Sequence, residues 1–232
     1  MQMEYCKGGD LHSRTSARRF DEIEALALMQ GVFRGLSYIH ERGYVHRDIK
    51  PENILWADGL AKISDFGICC HRSNEQEMRR KCGSPGYIAP EMILRQAYCS
   101  NVDCFSAGAL LYFIVSGKLA FSGPDTTITL KRTVRCILDF RKSFRLECLS
   151  ESCKEFMLDV TVKDPLERLT SKGALQHWWL CQETRSCIPR DEVLTARDFS
   201  EKSRPISQLS HGVTVAWASS GKSGSGGSDL LS

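Results

Sequence analysis

The chain has 232 residues, 42% of them apolar and 25% charged, with a formal net charge of +3. It can hold one sizeable domain with a tail, and a charge so small and dispersed argues against a nucleic-acid partner. The longest apolar stretch, Ala107 to Val115, is too short for a bilayer, so no membrane association is expected, and no charged leader with an apolar core opens the chain. Eleven cysteines, an odd number without repeated Cys-x-x-Cys pairs, fit neither a disulfide framework nor a zinc site. Free thiols point to the cytoplasm.

In chain order, Met3 to Leu11 is a short apolar run that ends in a turn. Asp21 to Arg42 is predicted as a helix. Ile23, Leu26, Ala27, Phe33, Leu36 and Ile39 recur near helical spacing, Asp21 caps the start with Glu24 three residues on, and Gly43 ends it. Two strands, Ile54 to Trp56 and Ala61 to Ser64, are joined by a hairpin turn at Asp58-Gly59. Asn101 to Ser116 is mostly apolar on every side and reads as a buried central helix. Further helices are predicted near Thr127 to Ile137, Ser150 to Val160 and Thr170 to Trp179, with capped starts at Ser150 and at Thr170 or Ser171. Beyond about Cys181 the pattern fades. Ser219 to Ser228 is rich in Ser and Gly, so residues 181–232 are expected to form a flexible tail.

Two motifs carry the chemistry. Residues 46 to 53 read His46-Arg47-Asp48-Ile49-Lys50-Pro51-Glu52-Asn53, and Asp65-Phe66-Gly67 begins twelve positions after Asn53. Together they offer a base, a lysine and two oxygen donors for magnesium at the spacing that phosphoryl transfer needs. The pair resembles the catalytic core of eukaryotic protein kinases, and Lys50-Pro51-Glu52-Asn53 resembles the serine/threonine class. The resemblance covers about Met3 to Trp179, so residues 1–180 are read as the catalytic unit. It implies a mainly α fold: a helical C-terminal lobe with short β-hairpins around the catalytic loop.

The same resemblance implies ATP and Mg2+ as cofactors and a role for each residue. Asp48 would be the base that orients the substrate hydroxyl. Lys50 would neutralise the transferring phosphate, and Asn53 and Asp65 would hold magnesium. Phe66 would fix where Asp65 points, with Gly67 completing the motif. The run from Met3 to Leu11 resembles the hinge, making Glu4, Cys6 and Asp10 cofactor-binding positions, with Leu55 as the floor of the adenine pocket. His46 belongs to the catalytic loop, and Arg47 stands where the family has an arginine that meets an activation-loop phosphate. Gly83 to Glu91 resembles the substrate-side loop, in which Ser84 would bond Asp48 and Lys50. Asp103 would tie down the catalytic-loop backbone. Arg168, in Asp164-Pro165-Leu166-Glu167-Arg168, would pair with Glu91. Hinge and loop wording most resemble the calcium/calmodulin-dependent and calcium-dependent kinases.

Departures from the family pattern set further expectations. The 45 residues ahead of His46 contain no Gly-x-Gly-x-x-Gly loop and no Val-Ala-Ile-Lys strand. The N-terminal lobe is therefore expected to be missing, and a kinase-fold binding module without turnover is the alternative to a serine/threonine kinase. Phe105 stands in place of a tryptophan, and Leu119-Ala120-Phe121 in place of Pro-Pro-Phe. No Ser or Thr lies between Asn74 and Gly83 to receive the phosphate that Arg47 would meet. Asp10 and Glu52 are expected to face a protein substrate with Arg three residues before its Ser or Thr, a spacing that Arg204-Pro205-Ile206-Ser207 in the tail also has.

Overall fold

The computed structural model describes residues 5–57 and 59–182. The expected tail from residue 183 on, with Arg204 to Ser207, and the hinge residue Glu4 lie outside them. The fold is mainly α, with four short strands among the described residues.

Helix α1, Leu11–Ala17, starts at Asp10, whose carboxylate accepts from the Ser13 N–H and hydroxyl. Helix α2, Glu22–Glu41, begins with the expected capping box between Asp21 and Glu24. Its buried face is Ala25, Leu26, Leu28, Met29, Val32, Phe33, Leu36 and Ile39. Ile23, counted above in the apolar face, is 68% exposed, because the stripe turns away from it in the first turn. Gly43 then adopts φ +79°, the left-handed geometry that a residue without Cβ takes cheaply, and sends the chain into strand β1, Tyr44–Val45.

Strands β2, Ile54–Ala57, and β3, Leu60–Ile63, form the expected antiparallel hairpin, with Ala57 opposite Leu60 and Gly59 in the turn at φ +82°. Asp58 lies outside the described residues. Strand β4, Cys70–His71, pairs with β1, so the chain before and after the hairpin is stitched together.

Helix α3, Pro90–Ile93, leads to α4, Asn101–Ser116, the central helix, which is buried along almost its whole length. Helices α6, Phe144–Glu147, and α7, Glu151–Val160, pack against it, as does α2, while α5, Thr126–Arg135, packs on α3. Gly108 makes the crossing with α7 possible: a Cβ there would stand 2.6 Å from Thr161 Cγ2 and 2.7 Å from Val160 Cγ2. Phe105 stacks on Phe121 at 5.6 Å between ring centroids, so the pair fills the space that a larger ring would occupy.

The single helix expected over Thr170 to Trp179 is instead two short ones, α8, Ser171–Ala174, and α9, Trp178–Cys181. The break has a local cause. His177 turns to the extended region and caps α9 by accepting from the Trp179 N–H. Trp179 is thereby delivered fully into the core, its indole N–H donating to Glu22 at 3.0 Å, while Trp178 stays 73% exposed. Glu22 also accepts from the Ser150 N–H at 2.8 Å, so one carboxylate joins the starts of α2, α7 and α9.

Arg168 closes the helical body. Its guanidinium forks onto Glu91 at 2.6 and 3.0 Å and donates to the carbonyls of Asn101, Val162 and Lys163. All five N–H donors are used, with both side chains almost wholly buried. Arg168→Ala would leave Glu91 as a buried, unpaired charge, and urea denaturation should show a loss of roughly 3 to 5 kcal/mol. Arg168→Lys should also destabilise, since an ammonium cannot reproduce the fork.

Candidate active site

The loop from His46 to Asn53, the expected catalytic loop, is held from below by one buried carboxylate. Asp103, in the first turn of α4, accepts from the His46 N–H at 2.8 Å and the Arg47 N–H at 2.7 Å. His40 Nε2, from the end of α2, sits 2.8 Å from the same carboxylate, and His40 Nδ1 lies 2.9 Å from the Ser171 hydroxyl of α8. Burial alone would push the Asp103 pKa up; the hydrogen bond and charge of His40, with the amide of His46, outweigh it and hold the pKa below the usual value. Arg47 takes φ +71°, a strained conformation for a non-glycine residue, held by the Asp103 bond to its N–H and by side-chain bonds to Ile68 and Glu77.

Above this anchor, His46 is fully buried. Its Nε2 donates to the Ser64 carbonyl at 2.9 Å, and the Phe66 ring packs edge-on against it at 4.8 Å. The two motifs, separated in sequence by the hairpin, are thus joined through His46, Ser64 and Phe66. Ser64 also donates its N–H and hydroxyl to the Asn53 carbonyl, at 2.8 and 3.0 Å, so Asn53 is fastened to the residue just before Asp65.

Asp48 is the convergence point. Its Oδ1 accepts from the Ser84 hydroxyl at 2.8 Å, and its Oδ2 lies 2.8 Å from Lys50 Nζ and 3.1 Å from Asn53 Nδ2. Lys50 Nζ also donates to the Ser84 hydroxyl at 2.9 Å, which closes a triangle across the catalytic and substrate loops. Asn53 Nδ2 donates in addition to the Asp48 carbonyl at 2.8 Å, so its amide oxygen is the atom left to face a cation. Asp65 is exposed, at φ +58°, with Oδ1 accepting from the Gly67 N–H at 3.2 Å. Two oxygen donors of this kind suit a hard cation such as magnesium rather than a soft metal.

Other expected positions are less convergent. Cys6 is half-buried, and its carbonyl closes a turn with the Gly9 N–H. Leu55 is half-buried in β2 and bridges to Asp10. The Asp10 carboxylate is occupied at the α1 start, and the Ser13 amide bond holds its pKa below the usual carboxylate value. Glu52 is exposed, and its charge acts on Tyr87 in the substrate loop, adding to the burial that pushes the Tyr87 phenol upward.

Several supporting residues carried no signal in the motifs. The Ser106 hydroxyl anchors the substrate loop by donating to the Tyr87 carbonyl at 2.8 Å. Ser64, His40, Ser171 and Tyr98 act only through contacts between distant segments. Gly83, at φ +96°, brings its backbone so close to the Arg47 carbonyl that a Cβ would lie 2.8 Å away.

Asp103→Asn should lower stability at pH 7 by roughly 1 to 3 kcal/mol, because the new amide N–H group faces existing donors. A depressed carboxylate pKa contributes stability above the unfolded value near 4, which fades as pH falls through the folded value. Wild-type stability should therefore drop on acidification below about pH 4, and less steeply in the variant. Denaturant melts across that range read both effects.

Residues 1–180 match the family model described as protein kinase domain. The chain is 37% identical over 190 residues to a serine/threonine-protein kinase H1 homolog of Danio rerio, covering 78% of this chain and 44% of that protein. It is 36% identical over 195 residues to the homolog of Pinctada fucata, covering 80% and 46%. Serine/threonine-protein kinase H1 of Homo sapiens is 35% identical over 190 residues, covering 78% and 44%. The chain spans less than half the length of these relatives. With the family model matched along most of its length and the motif residues gathered around Asp48, this chain belongs to the protein kinase domain family.

Proposed function

We propose that the chain carries the catalytic loop and substrate loop of an ATP-dependent protein serine/threonine kinase. The observation that supports this best is the Asp48 carboxylate, only 13% exposed and held by Ser84, Lys50 and Asn53 in one orientation. A base fixed on several sides is ready to accept the proton of a substrate hydroxyl without reorganising. Lys50 spends two contacts on Asp48 and Ser84, which leaves an N–H for a phosphoryl oxygen as negative charge develops. Asn53 and Asp65 would hold Mg2+. The bound ion would neutralise phosphate charge, as the reaction requires. Ser84 ties the loop that seats the substrate to the base itself.

The finer reading places the protein in the cytoplasm and nearest the calcium/calmodulin-dependent group, on the wording of its hinge and loops. Its substrates would be proteins with Arg three residues before the phosphorylated Ser or Thr. Exposed Glu52, beside the substrate loop, is the better candidate for that arginine, since an arginine fork binds a carboxylate in bidentate fashion. Asp10, occupied by Ser13, contributes less.

A rival reading is a kinase-fold module that binds without turnover. It concerns these 232 residues alone, whose first 45 contain no glycine-rich phosphate loop and no strand lysine. Transfer of phosphate from labelled ATP to a protein substrate separates the two. These 232 residues alone should turn over far more slowly than about 1 per second, the low end for kinases, because the phosphates lack a clamp. In a protein that includes a clamping lobe, Asp48→Asn should lower the rate at least about 100-fold while a cooperative melt shows the protein still folded. Equal rates would remove Asp48 from its role. On a peptide array, enrichment of Arg at the third position before the acceptor should weaken in Glu52→Ala and stay nearly unchanged in Asp10→Ala.

A further inference from the structure

Arg47 belongs to the catalytic loop, yet its side chain serves a different segment. The guanidinium is almost fully buried and spends its N–H groups on residues 68 to 98. Nε donates to the Ile68 carbonyl at 2.6 Å, and Nη1 to the Glu77 carbonyl at 2.8 Å and the Tyr98 hydroxyl at 3.2 Å. Nη2 meets Glu77 Oε2 at 3.0 Å. Burial works against the arginine's charge, but its hydrogen bonds to Tyr98 and Glu77 more than restore it.

Glu77 opens a single 3-10 turn, Glu77–Arg79, in the stretch that links Asp65-Phe66-Gly67 to the substrate loop. Tyr98 fastens the same turn. Its hydroxyl donates to the carbonyls of Glu77 and Arg80, at 2.9 and 3.0 Å, and its N–H donates to the Met78 carbonyl at 3.1 Å. Met78 fills the space beneath, 4% exposed, with its sulfur 3.4 Å from Cys70 of β4. A buried cation needs an anion, and among the described residues Glu77 is the carboxylate that reaches it. No Ser or Thr lies between Asn74 and Gly83 to bring a phosphate instead.

We propose that Glu77 is a built-in counter-ion that latches the stretch 68–82 onto Arg47, so that the stretch orders without covalent modification. Its place beside Ser84 then makes the substrate loop ready as soon as the chain folds. The consequence for catalysis rests on the kinase reading above; the latch itself does not.

Hydrogen–deuterium exchange on the purified 232-residue chain, after phosphatase treatment, tests the latch with no activity readout. Amides of residues 68–82 should be protected in the wild type. Glu77→Gln keeps the shape and removes the charge, and should speed their exchange about tenfold or more, as loss of a charged hydrogen bond does. Tyr98→Phe, which keeps the ion pair and removes one support, should fall between. Amides of α4 should stay protected in all three, which separates local release from unfolding. Exchange of 68–82 at the rate of an unstructured peptide in the treated wild type, or equal rates in wild type and Glu77→Gln, would overturn the latch. Neither result touches the phosphoryl-transfer assay, so failure of the kinase reading is distinguishable from failure of this one.

Discussion

The arrangement depends on a carboxylate that never meets solvent. Asp103 is wholly buried at the start of the central helix and accepts from two consecutive backbone amides of the catalytic loop. An ionised group in that position is costly unless its oxygens are fully bonded. Here the amides of His46 and Arg47 and the ring of His40 meet that demand. The same bonds that make the buried charge tolerable give the loop its shape, including the left-handed backbone at Arg47. Because α4 is buried almost throughout, the loop is referred to a close-packed helix rather than to a surface segment.

From that anchor, position is handed outward in short steps. Side chains of neighbouring loop residues diverge: His46 turns inward to Ser64 and Phe66, Arg47 toward the segment after the hairpin, and Asp48 toward Lys50, Asn53 and Ser84. One backbone turn therefore fixes three segments that are remote in sequence. The Glu91–Arg168 fork plays the matching part on the other side, tying the end of the substrate loop to the stretch after α7. Both are buried polar constructions whose donors and acceptors are satisfied together, which favours a single geometry over a loosely packed set.

Much of this was legible in the sequence where a local rule decides the outcome. The capping box at Asp21, the glycine at 43, the hairpin around Gly59 and the all-apolar central helix each rest on residues within a few positions of one another. The motif residues likewise came with their spacing. Legibility failed where tertiary contact overrides local preference. Thr170 to Trp179 reads as one helix, but burying Trp179 against Glu22 and capping with His177 breaks it. Ile23 fits the helical period yet points to solvent. Asp10, read as a site acid by resemblance, also caps α1 through Ser13, a local pairing that its motif does not announce. Ser64, Ser106 and Tyr98 act across 11 to 21 residues of sequence and have no pattern to announce them.

The two serines illustrate how a small group can have a large positional effect. The Ser106 hydroxyl bonds both the Val102 carbonyl one turn back in α4 and the Tyr87 carbonyl of the substrate loop. The Ser84 hydroxyl receives from Lys50 and donates to Asp48. The loop that carries Ser84 and Tyr87 is thus pinned through Tyr87 to the central helix and through Ser84 to Asp48. A shift of α4 would be felt at Asp48 by two routes, through Asp103 beneath the catalytic loop and through Ser106 and the substrate loop above it. Packed side chains do not deform continuously, so both routes hold Asp48 and Ser84 to one spacing. The phosphoryl transfer proposed for this loop would need that spacing more than any additional reactive group.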